Sequence, residues 1–138
     1  MTPRPSPTVE LNYRPVALPA RPQRRIAFAP EANAILQFSP SEACVSLPLD
    51  KPVTLGRGEA RGADTKLDLN DFGALQHGVS RQHCQLKRVG QQLIIVDLGS
   101  ANGTFINGDF LKPDEERPLA HGDMIVLGAL TVHVFFSK

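Results

Sequence analysis

All eleven glycines of this 138-residue chain fall between Gly56 and Gly128, where they separate short apolar runs, and no segment of ten or more residues carries an amphipathic helical period. Short runs bounded by turn residues are the pattern of an all-β domain. The runs predict strands at Ala34 to Phe38, Ala43 to Pro48, Val53 to Gly56, Lys66 to Leu69, Cys84 to Val89, Leu93 to Asp97, Thr104 to Ile106, Met124 to Leu127 and Leu130 to Phe136. Val89-Gly90-Gln91 and Ile106-Asn107-Gly108-Asp109 read as hairpin connections, the second through an Asn-Gly pair that adopts positive φ cheaply. In the last strand Leu130, Val132, Val134 and Phe136 share one face, and Thr131, His133 and Phe135 the other. Two such faces closing on one another make a β-sandwich, and the length suits one domain with its own core rather than two.

The first 33 residues differ in kind. They hold seven of the twelve prolines, no glycine and no periodicity of 2 or 3.6, which predicts a disordered Pro/Arg-rich tail or linker over residues 1–33 and a folded domain over 34–138. Five Arg and two Glu give the tail +3, and the remainder carries −2 within an overall +1. That near balance asks for neither nucleic acid nor an anionic membrane. The tail arginines Arg14, Arg21, Arg24 and Arg25 have only Tyr13 among them for base stacking, so a solvated linker is the expectation. The N-terminus lacks the apolar stretch of a signal peptide, and no run approaches a membrane span, so a cytoplasmic protein is expected. Cys44 and Cys84 stand forty positions apart with no CxxC pair and no histidine at ligand spacing, which argues against a zinc site or a disulfide framework and for buried, inert thiols. His77, His121 and His133 show no partner pattern.

Three loop segments concentrate polar groups and glycine: Gly56-Arg57, Ser80-Arg81-Gln82-His83, and Asp97 to Thr104 with Asn107-Gly108 beyond. Brought to one end of a sandwich, they would supply two guanidinium groups, hydroxyls, an amide and glycine N–H groups. That set suits a phosphate dianion, whose oxygens accept from Arg forks and from N–H or O–H donors. Ser80, His83 and Asp97 invite a hydrolase reading, but their spacing fits no nucleophile elbow and no Gly-x-Ser-x-Gly occurs.

The ordered set Gly56-Arg57, Ser80 to His83, Asn102-Gly103 and Asn107 resembles the signature of the forkhead-associated (FHA) domain family, and the likeness covers the chain from about Ala34 to Lys138. The resemblance implies an FHA-like sandwich of about eleven strands that reads phosphothreonine peptides without metal or cofactor and is not an enzyme. It implies that Arg57 clamps the phosphate, that Ser80 gives it a hydroxyl, that Arg81 makes a second contact, and that Asn102 bonds the main chain of an extended peptide. It implies structural support from His83, which braces the loops from behind, and from Gly56, Gly103 and Asn107, which shape them. Side chains around the third residue after the phosphothreonine would set selectivity. The sequence departs from the family pattern at Ala101, where several members carry a phosphate-binding hydroxyl residue. The stretch from Arg57 to Gly78, with Arg61, Lys66, Asp68 and Asp71, exceeds a minimal hairpin.

The resemblance implies a signalling adaptor downstream of a Ser/Thr kinase. Two alternatives stand beside it. One is a phosphate-independent scaffolding domain, for which Ala101 is the hint. The other is self-inhibition by the phosphorylated tail: Thr8 is followed three positions later by Leu11, and about 25 residues of flexible chain give a reach of roughly 25 to 30 Å.

Overall fold

The computed structural model describes residues 27–60 and 65–137. Thr8, the tail arginines and Arg61 lie outside the described residues. The order is β1 (Ala34–Ser39), β2 (Cys44–Leu47), β3 (Val53–Gly56), β4 (Lys66–Asp68), a 3₁₀ turn (Asn70–Phe72), β5 (Cys84–Val89), β6 (Gln92–Asp97), β7 (Thr104–Ile106), β8 (Asp109–Leu111), β9 (Glu116–Leu119), β10 (Met124–Leu127) and β11 (Leu130–Phe136).

These strands form two sheets, one ordered β2-β1-β11-β10-β7-β8 and the other β4-β3-β5-β6-β9. The expected β-sandwich of about eleven strands is what the chain forms. Pairing is antiparallel except between β3 and β4, which run parallel with Thr54 opposite Lys66. The alternation read from the last strand holds: Leu130, Val132, Val134 and Phe136 are buried, and their neighbours Thr131, His133 and Phe135 are half-buried on the outer face. Leu36 and Phe38 of β1 meet Leu55, Leu86, Leu93 and Ile95 of the other sheet in one core. Phe72, from the 3₁₀ turn, stacks on Phe38 with centroids 4.2 Å apart. Burying one such side chain stabilises the fold by about 1.5 to 3 kcal/mol.

Two strands were not expected. β8 is three residues long and follows directly on the Asn107-Gly108 turn, and β9 carries Glu116, Arg117 and Pro118. Both are edge strands, where charge and proline are tolerated because one row of N–H groups needs no ladder partner. Each buries a single residue, Leu111 and Leu119, and Phe110 of β8 is exposed.

Packing also reaches into the segment read as tail. Phe28 and Ala32 are buried in the core. The Phe28 N–H donates to Gln91 O at 3.0 Å, and its ring lies 4.8 Å from that of Phe136. Cys84 is buried as expected, but Cys44 is only half-buried. It lies on edge strand β2 opposite Gln37, a residue of the outer sheet face, so the pleat turns it away from the core.

Candidate functional site

β3 ends in Gly56, and its close approach to the β4–β5 loop founds the site. A Cβ built on Gly56 would stand 1.9 Å from the Arg81 carbonyl oxygen and 2.8 Å from that of Ser80, so only glycine lets the two backbones touch. The next residue exploits that contact: Arg57 N–H donates to Ser80 O at 3.1 Å, and its Nε donates to Val79 O at 2.6 Å. With Nε held, the plane of the guanidinium is set. No described residue takes a hydrogen bond from its two Nη atoms.

Ser80 and His83 lock the next loop. The Ser80 N–H donates to His83 Nδ1 at 3.0 Å. Nδ1 must therefore carry a lone pair, so the proton sits on Nε2, which donates to Gly103 O at 2.9 Å. The ring is completely buried, and burial pushes its pKa below the ordinary imidazole value, outweighing the opposing Gly103 carbonyl and Asp97 charge. The Ser80 hydroxyl accepts from the Ala101 N–H at 2.9 Å, which leaves its own hydrogen to donate.

Asp97 organises the third loop. Its Oδ2 accepts from the Gly99 and Ser100 N–H groups at 2.9 and 3.1 Å, and its Oδ1 from the Ser100 and Thr104 hydroxyls at 2.7 Å each. Burial raises its pKa, but the hydroxyl and amide donors prevail and hold the carboxyl below its ordinary range. The loop so folded places Asn102 on the surface, where its Nδ2 donates to Gly78 O at 2.9 Å. Gly103 turns at φ 90°, and a Cβ there would press on the Phe110 and Phe105 rings at 3.2 and 3.3 Å.

The structure thus brings Gly56, Arg57, Ser80, Arg81, His83, Asn102 and Gly103 together at one end of the sandwich. Asn107 lies elsewhere. Its side chain donates to Asp123 Oδ1 at 2.9 Å and accepts from the Met124 N–H at 3.0 Å, so it shapes the β7–β8 turn at the far end of β7 and makes none of its bonds to the three loops. No catalytic triad is assembled either, because Asp97 spends its oxygens on its own loop and the His83 ring faces the Ser80 amide, not its hydroxyl. Among the described residues no group of His, Cys, Asp and Glu is placed to hold a metal ion. No helix among them is long and apolar enough to cross a membrane.

Arg57 also borders a depression of about 270 Å³ with Thr54, Glu59, Lys66, Arg81 and Gln82. Lys66 Nζ donates to Arg57 O at 2.7 Å, a link no local pattern announces because it depends on the parallel β3–β4 pairing. The role of Asp97 did have a local signal: an Asp followed two and three residues later by Gly-Ser is the composition of an Asx-type turn.

A sandwich with three loops gathered around an Arg, a Ser and an Asn is the framework of a peptide-recognition module, and the FHA domain family model matches residues 53–128. The chain belongs to the FHA family. An oxoglutarate dehydrogenase inhibitor of Corynebacterium jeikeium is 33% identical over 99 residues, covering 72% of this chain and 62% of that protein. The FHA domain-containing protein FhaA of Mycobacterium tuberculosis is 41% identical over 68 residues, 49% of this chain and 11% of that protein. The chain therefore spans less than two thirds of these relatives. The solution structure of the FHA domain of an Arabidopsis thaliana hypothetical protein superposes with a TM-score of 0.63 at 25% identity, covering 87% of this chain and 96% of that one. A second structure, from work on phosphothreonine-dependent FHA domain interactions, superposes at 0.58 with 31% identity, covering 77% and 98%. The FhaA FHA domain in complex with the intracellular domain of another protein gives 0.55 and 31%, covering 73% and 98%.

Proposed function

We propose that this chain is a phosphothreonine-dependent interaction module, an adaptor acting downstream of a Ser/Thr kinase in the cytoplasm, and not an enzyme. The observation that carries this reading is Arg57: its backbone N–H and Nε are fixed on Ser80 O and Val79 O, and no described residue takes a hydrogen bond from its two Nη groups, which leaves them as a fork for a phosphate dianion. Ser80 donates its hydroxyl hydrogen to the same phosphate. Asn102, anchored through Nδ2 on Gly78 O, offers its Oδ1 and second N–H to the main chain of an extended peptide, and Arg81 contributes a second cation at the rim. His83, Gly56 and Gly103 hold these groups in place and touch no ligand. Relatives named as a glycogen accumulation regulator and an oxoglutarate dehydrogenase inhibitor, a neighbour from work on phosphothreonine-dependent FHA domain interactions, and one solved in complex with the intracellular domain of another protein support the same reading.

The test is fluorescence-anisotropy binding to phosphothreonine, phosphoserine and unphosphorylated peptide pools. Binding confined to phosphothreonine and lost on Arg57→Ala is the expected result, since charge-assisted bonds of about 1.5 to 3 kcal/mol each correspond to a loss of at least tenfold per bond. A folded protein that binds no pool, or binds all three alike, overturns the reading in favour of a phosphate-independent scaffold.

A further inference from the structure

A sheet edge is a row of unpaired N–H and C=O groups that pairs with another strand unless charge, proline or brevity blocks it. The sandwich has four such edges, β2 and β8 of one sheet and β4 and β9 of the other. Three are guarded. β4 and β8 are three residues long and each carries charge, and β9 places Glu116, Arg117 and Pro118 on its edge. β2 differs: Cys44-Val45-Ser46-Leu47 holds neither charge nor proline, and among the described residues no strand lies on its far side.

The direction of its free groups follows from its pairing. The Phe38 N–H donates to Ala43 O at 2.9 Å, and further along Leu36 stands opposite Val45 and Ala34 opposite Leu47. Hydrogen-bonded pairs alternate along an antiparallel ladder, so Ala43, Val45 and Leu47 bond to β1, and the N–H and C=O groups of Cys44 and Ser46 turn outward. The side chains of Val45 and Leu47 pack against the core but are only partly buried. A further strand along this edge would cover them.

We infer that β2 is a self-association edge, on which a second copy of this chain docks its own β2 antiparallel about a two-fold axis. Among the described residues β2 is the one unguarded edge a second copy has to offer, so the contact uses the same strand twice and closes as a dimer instead of a filament. One register meets every constraint, with Val45 of one copy opposite Val45 of the other. Cys44 then stands opposite Ser46 in two hydrogen-bonded pairs, which use all the outward groups of both residues. Setting Ser46 opposite itself would bring Cys44 to Pro48, which has no N–H and whose carbonyl already accepts from Arg88. A slip of one residue would set inward side chains against outward ones. Antiparallel pairing points the loop ends of the two copies in opposite directions. β7, which follows the Asn102 loop, lies four spacings from β2 in each copy and so nine spacings of about 4.8 Å, roughly 40 Å, from its counterpart. Such a dimer joins two phosphorylated partners rather than two marks on one short peptide, a consequence that rests on the phosphopeptide reading although the pairing itself does not.

The experiment is sedimentation of the whole chain from about 1 to 500 µM, because a contact this small belongs with weak interfaces, with Kd at roughly 10 to 300 µM. The weight-average mass is expected to rise from 15.0 kDa toward twice that value. Ser46→Pro removes an outward N–H and leaves the β1 ladder whole, so it should stay monomeric over the same range with the parental far-ultraviolet spectrum. In a Cys44→Ser background, Val45→Cys should give a disulfide-linked dimer under mild oxidation, since a residue opposite itself in a non-hydrogen-bonded pair has Cα atoms about 4.5 Å apart. Leu47→Cys in that background should not, because in this register its two Cα atoms stand more than about 13 Å apart. Cys84 is buried and does not compete. A parent that is monomeric at every concentration overturns the pairing. So does a dimer that Ser46→Pro leaves intact or that Val45→Cys fails to lock. A chain that binds phosphothreonine peptide only as a monomer overturns the pairing alone, and one that dimerises as described but binds no phosphopeptide overturns the bridging role alone.

Discussion

The Ser80 N–H and His83 Nδ1 share a hydrogen bond of 3.0 Å, and it exists only while the ring is neutral. A proton on Nδ1 would face an N–H donor at a fully buried ring, so charging His83 breaks the brace between the Ser80 loop and Gly103. Burial depresses the His83 pKa, so the unfolded chain binds the proton more readily than the folded one. The stability this residue contributes is complete above the ordinary imidazole value, declines as pH falls through it, and is gone below the folded value. His121 and His133 are depressed in the same direction by burial and add to the same slope. The informative quantity is therefore a difference. Between pH 7.5 and 5.5, scanned at roughly half-unit steps spanning the imidazole range, the urea midpoint of the parent should fall more than that of His83→Gln. His83→Ala should cost about 3 kcal/mol at pH 7.5 by leaving the Ser80 N–H and the Gly103 carbonyl unpaired. Equal pH slopes for parent and His83→Gln would show that the ring does not carry this linkage.

Gly56→Ala is a test of position rather than of chemistry. Its new methyl meets backbone, the Arg81 carbonyl at 1.9 Å, which unlike a side-chain tip has no rotamer to escape into. The β3–β4 loop must lift from the Ser80-Arg81 turn, and the bonds from Arg57 to Ser80 O and Val79 O stretch with it. A loss of about 3 kcal/mol in stability is expected. Phosphopeptide affinity should fall at least tenfold even at a temperature where the variant is fully folded. A variant with parental affinity would mean that the loop contact does not position Arg57.

Ala101→Thr restores a hydroxyl where several family members carry one. Ala101 is exposed, and its N–H already donates to Ser80 Oγ, so the added side chain enters solvent beside the Ser80 hydroxyl without disturbing the loop. One further hydrogen bond to a charged group is worth about 1.5 kcal/mol, close to tenfold. Titration of the same phosphothreonine peptide should show tighter binding with unchanged thermal stability. Weaker binding would place the phosphate away from residue 101.

How much of this was legible in the sequence differs by the range of the interaction. The long strands could be read because their period is local, as in Leu130–Phe136. The chemistry of Gly56-Arg57 and Ser80 to His83 could be read because residue type and order announce it. β9 could not, because Arg117 and Pro118 stand on an edge whose pairing to Ile94 and Ile95 is a property of the neighbouring strand. The bond from Lys66 to the Arg57 carbonyl depends on a parallel crossover, and Asn107 was grouped with the loops by its place in a motif although its bonds run to Asp123 and Met124. Phe28 stood alone among prolines and alanines with no period to mark it, and the groups that cover its ring, Arg88 and Phe136, stand 60 and 108 positions further along.

Arg88 is that distant partner. Its guanidinium carbon lies 4.1 Å from the centroid of the Phe28 ring. Nη1 donates to Ala29 O at 2.8 Å, and Nη2 to Ala32 O and Pro48 O at 2.9 and 2.7 Å. One side chain therefore ties the entering segment to the β2–β3 connection and caps Phe28 from outside while Phe136 packs it from within. The cation–π contact is worth about 1 kcal/mol in a partly desolvated setting, and the charged bonds to the carbonyls of Ala29, Ala32 and Pro48, with a longer one from Nε to Leu49 O at 3.5 Å, add to it, discounted because water can reach some of them once the arginine is gone. Arg88→Ala should lower unfolding stability by about 2 to 3 kcal/mol. Phe28→Ala should cost about 3 to 4 kcal/mol through the cavity beneath. Because the two residues share one contact, the double variant should lose less than the sum of the single losses, by about 1 kcal/mol. Chemical denaturation of the four proteins measures that coupling, and strictly additive losses would show that the stacked geometry contributes nothing beyond the separate burial of each residue. Phosphopeptide affinity should stay within twofold in all three variants at temperatures where they are folded, since none of the bonds of Arg88 reaches the three loops at the site.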